Sequence, residues 1–199
     1  MKVGMRTGAW VVTALVLGGC GLLPDLPAPN RTTSTGAASA VPTATGDAVL
    51  GLTRYAVADR QPLPALAGAT LDGHQLALSS LRGRVVVLNA WASWCEPCKS
   101  ELPVLAAAAR AAGPGVAFVG LDVTDQSSGA LAMNAADGVT YPSIVDSTGS
   151  LLRGIPGVPP TAIPSTVVLD RRGDVAARII GAVKPGVLEP VLADLAAER

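Results

Sequence analysis

One histidine and three cysteines in 199 residues leave little from which to build a metal site. Structural zinc needs about four nitrogen or sulfur ligands, and His74 with two neighbouring cysteines falls short of that set, so no metal is expected. The chain also lacks a block of like charge. Its 15 basic and 15 acidic residues balance to a formal net charge of zero. No basic cluster falls on a predicted helix or ribbon, so nucleic acid is not an expected partner. No flavin or nicotinamide motif is present, so no organic cofactor is expected, and no internal repeat is evident.

What the N-terminus has is a positive start at Lys2 and Arg6, an apolar run from Ala9 to Leu17, and then Leu17-Gly18-Gly19-Cys20. The run is too short to span a bilayer comfortably and reads as a secretory signal over residues 1–19. Leu-Gly-Gly-Cys is similar to a bacterial lipobox, in which cleavage leaves Cys20 as the lipidated N-terminus; the alternative is an ordinary signal peptide with an accidental cysteine. Lipidation would remove an otherwise unpaired thiol from an oxidising compartment. Residues 20–53 are rich in Pro, Thr, Ser, Ala and Gly, too poor in large apolar groups to offset their ordering entropy. They are expected to be a disordered tether, holding residues 54–199 away from the extracytoplasmic face of a cell membrane. That remainder suffices for one domain burying about two thirds of its unfolded surface.

The other two cysteines stand together in Trp94-Cys95-Glu96-Pro97-Cys98-Lys99, directly behind the apolar run Val85 to Ala90. The placement predicts two thiols at a strand-to-helix junction, where free backbone N–H groups and the helix dipole favour a thiolate. A disulfide spanning so small a loop removes little chain entropy, which argues against a purely structural staple. The spacing points to a dithiol redox centre. Cys95 is then the more exposed nucleophile, and Cys98, one helical turn in, resolves the mixed disulfide.

Patterning predicts alternating strands and helices around this pair. Val85 to Ala90 reads as a central strand covered on both faces, followed by a helix over 95–112 that Pro103 should kink or restart. A second buried strand is predicted at 116–122, a weaker helix at 126–136, and a turn at 146–149 before a short segment at 150–154. Strand runs at 166–170 and 175–180 flank Arg171-Arg172-Gly173-Asp174, a link that favours an antiparallel hairpin. A last amphipathic helix is predicted over 185–197. A parallel βαβ half followed by a hairpin and a helix makes a mixed-sheet α/β domain.

Trp91-Ala92-Ser93-Trp94-Cys95-Glu96-Pro97-Cys98 behind a Val-rich strand resembles the thioredoxin superfamily, most closely its membrane-tethered TlpA/ResA-like disulfide reductases. The resemblance extends upstream to Leu71-Asp72-Gly73 and Leu78 to Arg84, and downstream to Ile163-Pro164-Ser165-Thr166-Val167-Val168-Leu169-Asp170 and Gly173. It implies a thioredoxin-like fold, a central mixed β-sheet flanked by helices with the N-terminal extension of that group. It implies that Cys95 attacks, that Cys98 resolves, and that Pro164 is a cis proline facing the pair. The Ile163 backbone would then be free to hold a substrate. Pro159 and Pro160 compete for the proline role, at a distance from Asp170 that fits worse.

Glu101 lies three residues after Cys98 on the same helix face. The resemblance places an acid here, and a poorly solvated carboxyl would take the proton of the resolving thiol. Asn89 stands where thioredoxins proper carry a buried acid. Glu96 opposes the thiolate by like-charge repulsion while the helix dipole favours it. Trp91 and Trp94 are expected to pack around the redox turn, with Trp94 also shielding Cys95 or meeting substrate; His74 reads as a solvated loop residue and Met133 as core.

The activity implied is protein-disulfide reduction by dithiol exchange. The resemblance implies electrons from a membrane thiol carrier and a substrate such as the oxidised haem site of apocytochrome c. Two alternatives share the motif. One is an oxidant that forms disulfides in secreted proteins. The other is a peroxiredoxin-type peroxidase, which expects threonine three residues before the reactive cysteine, where this chain has Ala92. A tethered non-enzymatic binding module, indifferent to loss of the cysteines, is a third class.

Overall fold

The computed structural model describes residues 44–47 and 51–198. The expected signal peptide, Cys20 and most of the expected tether lie outside the described residues. In chain order the elements are β1 (Ala44–Asp47), β2 (Leu52–Tyr55), β3 (Ala67–Ala69), β4 (Gln75–Ala77) and β5 (Val85–Trp91). They continue with α1 (Glu96–Ala111), β6 (Val116–Val123), α2 (Ser127–Asp137) and β7 (Ser143–Asp146). The single-turn α3 (Ser150–Arg153), β8 (Ser165–Leu169), β9 (Val175–Ile180) and α4 (Leu188–Ala197) complete the domain.

Seven strands form one sheet in the order β1-β2-β9-β8-β5-β6-β7, and β3 with β4 makes a separate hairpin. β5, β6 and β7 pair in parallel, while β8, β9, β2 and β1 continue the sheet in antiparallel fashion. This is the mixed sheet of a thioredoxin-like domain, flanked by helices.

β5 sits at the centre, and all seven of its residues are buried. Successive side chains leave a strand on opposite faces. Val86, Leu88 and Ala90 enter one layer with Leu66, Leu81, Ile144 and Val158. Val85 and Val87 enter the other, against Leu105 of α1 and Leu188, Val191 and Leu195 of α4. Trp91 extends the odd-numbered series into a third cluster with Cys95, Cys98, Leu102 and Ala130. A strand covered twice needs apolar residues throughout, which is why the run was visible as a run.

Several elements differ from the sequence expectation. The sheet takes in 44–47 and 52–55, so the tether boundary expected at 53/54 falls inside β2. Gly51, directly before β2, adopts φ 65°, and a Cβ there would run into the Ile180 carbonyl oxygen of β9. β7 has no counterpart in the sequence pattern, because Ser143-Ile144-Val145-Asp146 is too short to show a period. α1 neither breaks nor restarts at Pro103. The carbonyl that this proline orphans is that of Lys99, an exposed residue, so solvent is at hand to serve it. Among the described residues no helix is long and apolar enough to cross a membrane.

Candidate active site

β5 delivers the chain to Trp91, and four residues later Cys95 caps the N-terminus of α1. Pro97 falls in the first helical turn, where its missing N–H costs nothing because such groups have no intrahelical partner. Cys98 N–H donates to the Cys95 carbonyl at 3.0 Å, closing the turn. The two sulfurs are joined in a disulfide with Cα atoms 5.3 Å apart. Cys95 retains 5% exposure and Cys98 none, so an incoming thiolate meets Cys95 first. In the reduced pair the open amides of the first turn and the α1 dipole favour a thiolate at Cys95.

The neighbouring apolar groups define a face. Trp94 is 58% exposed, with its indole N–H donating to the Thr124 carbonyl at 3.2 Å. Ile163 packs against the cluster that holds both cysteines. The antiparallel pairing of β8 with β5 sets Ser165 opposite Ala90, which brings Pro164 beside the end of β5. The Ile163–Pro164 peptide is cis. The Ile163 N–H donates to the Thr161 carbonyl at 3.1 Å, while the Ile163 carbonyl accepts no hydrogen bond from the described residues. Trp91 is buried beneath the turn, His74 is exposed and Met133 is half-buried against the same cluster.

Glu101 is wholly buried. One carboxylate oxygen accepts from Asn89 Nδ2 at 2.8 Å and the other from the Val183 backbone N–H at 2.9 Å. Burial pushes its pKa up to about 7; the bonds from Val183 and Asn89 and the charge of Lys184 pull the other way and do not cancel it. A carboxyl that exchanges its proton near neutrality thus lies one helical turn beyond Cys98. Glu96, by contrast, is exposed and pairs with Lys99 at 2.8 Å.

The loop between β6 and α2 contributes residues that sequence reasoning passed over. The Asp125 carboxylate accepts from both the backbone N–H and the hydroxyl of Ser93, two residues before Cys95. Gly129 lets α2 come close here, since a Cβ would meet Ser93 Oγ at 2.7 Å. Asp122 lies behind, buried at the end of β6. The available signal was an acid inside an otherwise apolar strand run, Val119-Gly120-Leu121-Asp122-Val123. Among the described residues no group of three or more His, Cys, Asp or Glu is placed to hold a metal ion.

A barely accessible sulfur joined to a fully buried one, a neighbouring acid–base group and an apolar rim can perform thiol–disulfide exchange, and comparisons with known proteins agree. The chain is 30% identical over 112 residues to the thiol-disulfide oxidoreductase ResA of Bacillus thuringiensis, covering 56% of this chain and 63% of that one. It thus spans a little under two thirds of that relative's length. A secreted thiol-disulfide isomerase from Corynebacterium glutamicum superposes with a TM-score of 0.69 at 34% identity, over 78% of this chain and all of that one. A DsbF homologue from Corynebacterium diphtheriae gives a TM-score of 0.69 at 30% identity, over 75% of this chain and 96% of that one. Residues 36–195 match the Redoxin family, and the chain belongs to it, among the thioredoxin-like proteins of the TlpA/ResA kind.

Proposed function

We propose that the protein is an extracytoplasmic thiol–disulfide oxidoreductase that reduces disulfides in other proteins. The observation that carries the reading is Glu101, a buried carboxyl one turn past the resolving cysteine with its pKa near 7. Cys95 thiolate attacks a substrate disulfide, forming the mixed disulfide and expelling one substrate thiolate. The Cys98 thiol then gives its proton to the Glu101 carboxylate and attacks Cys95, releasing the second substrate thiolate and leaving the Cys95–Cys98 disulfide. Two electrons pass to the substrate, and a membrane thiol carrier returns them.

A strong oxidant owes its potential to a stabilised reduced form. Here the buried Glu101 carboxyl, once ionised, opposes a stabilised thiolate, which favours the reducing direction. Trp94 and Ile163 form the apolar face for an extended substrate segment beside Pro164. The family resemblance supports an oxidised Cys-x-x-Cys-His site of apocytochrome c as that substrate. Lipid attachment at Cys20 and a tether after it would hold the domain at the outer face of the cell membrane.

A second reading, disulfide formation or isomerisation in secreted proteins, is favoured by the likeness to the Corynebacterium glutamicum isomerase. The reduction potential separates the two. A value near or below about −250 mV is expected for the reductase, whereas a value near about −120 mV would transfer the proposal to the oxidant.

A further inference from the structure

The loop after β6 grips the segment in front of Cys95 at two points. Asp125 accepts from the Ser93 N–H and, at 2.8 Å, from the Ser93 hydroxyl. The Thr124 carbonyl accepts from the Trp94 indole. Thr124 holds φ 49°, the left-handed region, and is the one non-glycine among the described residues to do so. A β-branched residue is uncommon there, and strain of this kind concentrates at functional sites.

Behind this loop Asp122 is 1% exposed, and neither of its carboxyl oxygens has a hydrogen-bond partner among the standard donors of the described residues. Its polar neighbour is the carboxyl of Asp125. Two carboxylates cannot bond to each other without a proton between them. Burial first, and then the charge of Asp125, push Asp122 up to about 7.

We propose that Asp122 and Asp125 share one proton and act as a positioning pair, in which protonated Asp122 steadies Asp125 and Asp125 fixes Ser93 and Trp94 against the front of the redox turn. Loss of the proton sets two carboxylates against each other, and the grip on Ser93 and on the Trp94 indole loosens. The presentation of Trp94 beside Cys95 is therefore proton-linked. The proposal rests on the exchange chemistry of Cys95 and Cys98, in either direction.

The surroundings leave few other groups to titrate in this place. In register with Asp122 stand Trp91 on β5 and Val145 on β7. α2 brings Ala130 and Met133 to the adjoining cluster, and α1 brings the two cysteines and Leu102. Asp125 is the charged group that acts on Asp122. Reduction adds the Cys95 thiolate. Glu101, the other carboxyl raised to about 7, is tied to Asn89 and Val183 instead.

The test follows the Ser93 amide and Trp94 indole resonances by NMR in the oxidised full chain between pH 5 and 9. With the disulfide closed no thiol titrates, and a chain that catalysed no exchange would still show the effect. Both resonances are expected to move together with a midpoint of about 7. Asp122→Asn, which keeps the shape and removes the charge, is expected to hold both at their low-pH positions throughout. Asp125→Asn is expected to shift the Ser93 amide at every pH and abolish the transition, whereas Glu101→Gln is expected to leave the transition in place. A wild-type chain with no transition in this range overturns the proposal, as does a transition that survives Asp122→Asn or disappears with Glu101→Gln.

Discussion

Glu101 is served by a side chain suited to both of its protonation states. Asn89 donates through Nδ2 to Glu101 and also to Thr166 Oγ1, at 3.1 Å, while its Oδ1 has no donor among the described residues. Turning the amide over exchanges Oδ1 for Nδ2. Asn89 can then donate to a carboxylate and accept from a carboxylic acid without leaving its place. The same property makes Glu101→Gln a clean variant: the new amide group meets Asn89 Oδ1, and the new carbonyl keeps the Val183 N–H. Folding should survive, but the proton acceptor for Cys98 is gone. Resolution of the mixed disulfide is expected to slow by roughly a hundredfold, a typical general-base contribution. The limb of the pH–rate profile near 7 should vanish with it, as single-turnover kinetics would show. An unchanged rate and profile would remove Glu101 from the mechanism.

At the scale of elements, the meeting of β5 and β6 is what supports the redox turn from below. Gly120 lies under Trp91, where an added Cβ would come within 2.7 Å of the indole Nε1 and 2.9 Å of Ser143 Cβ. Gly120→Ala is therefore an overpacking change at a fully enclosed site, expected to cost about 1–3 kcal/mol in denaturant unfolding. Trp91 would have to shift, and exchange at Cys95 should weaken while Glu101 keeps its pKa; unaltered stability would show that the indole has room to yield. The elements that sequence revealed are those whose whole signal is local. β5 is a burial-driven run, Cys95 and Cys98 are three residues apart, and Glu101 follows by helical spacing. What escaped depends on distant partners. Val183 reaches Glu101 from 82 residues away and Asp125 reaches Ser93 across 32. β1 and β7 have only four residues each and borrow their order from neighbours already in the sheet.

For the molecule as a whole, the carboxyls whose pKa values the fold shifts divide into two opposed sets. Arg60, itself buried, bridges Asp170 at 3.1 Å and Glu198 at 2.6 Å, and Arg171 bonds the carbonyls at the end of α4. Burial alone would raise Asp170, but the Asp174 N–H, Arg60 and the Arg172 N–H together hold it below its ordinary value; the Arg60 hydrogen bond does the same for Glu198. Such groups stabilise the fold above their unfolded pKa values, and that contribution is lost as pH falls. Glu101 and Asp122 work in the other sense. Below pH 4.5 Glu101 is protonated whether folded or not; between 4.5 and about 7 the unfolded chain gives up the proton and the folded one keeps it, so stability falls as pH rises. For Glu101 the loss is on the order of 3 kcal/mol, and Asp122 adds to it in the same window. The urea midpoint of the oxidised protein at constant ionic strength should therefore peak near about pH 4 to 5 and decline toward neutrality. Glu101→Gln should flatten most of that decline and Asp122→Asn part of it. A midpoint that instead climbs steadily from pH 5 to 8 would mean that both carboxyls are ionised in the folded state, and that the proton economy proposed for the redox turn has no source.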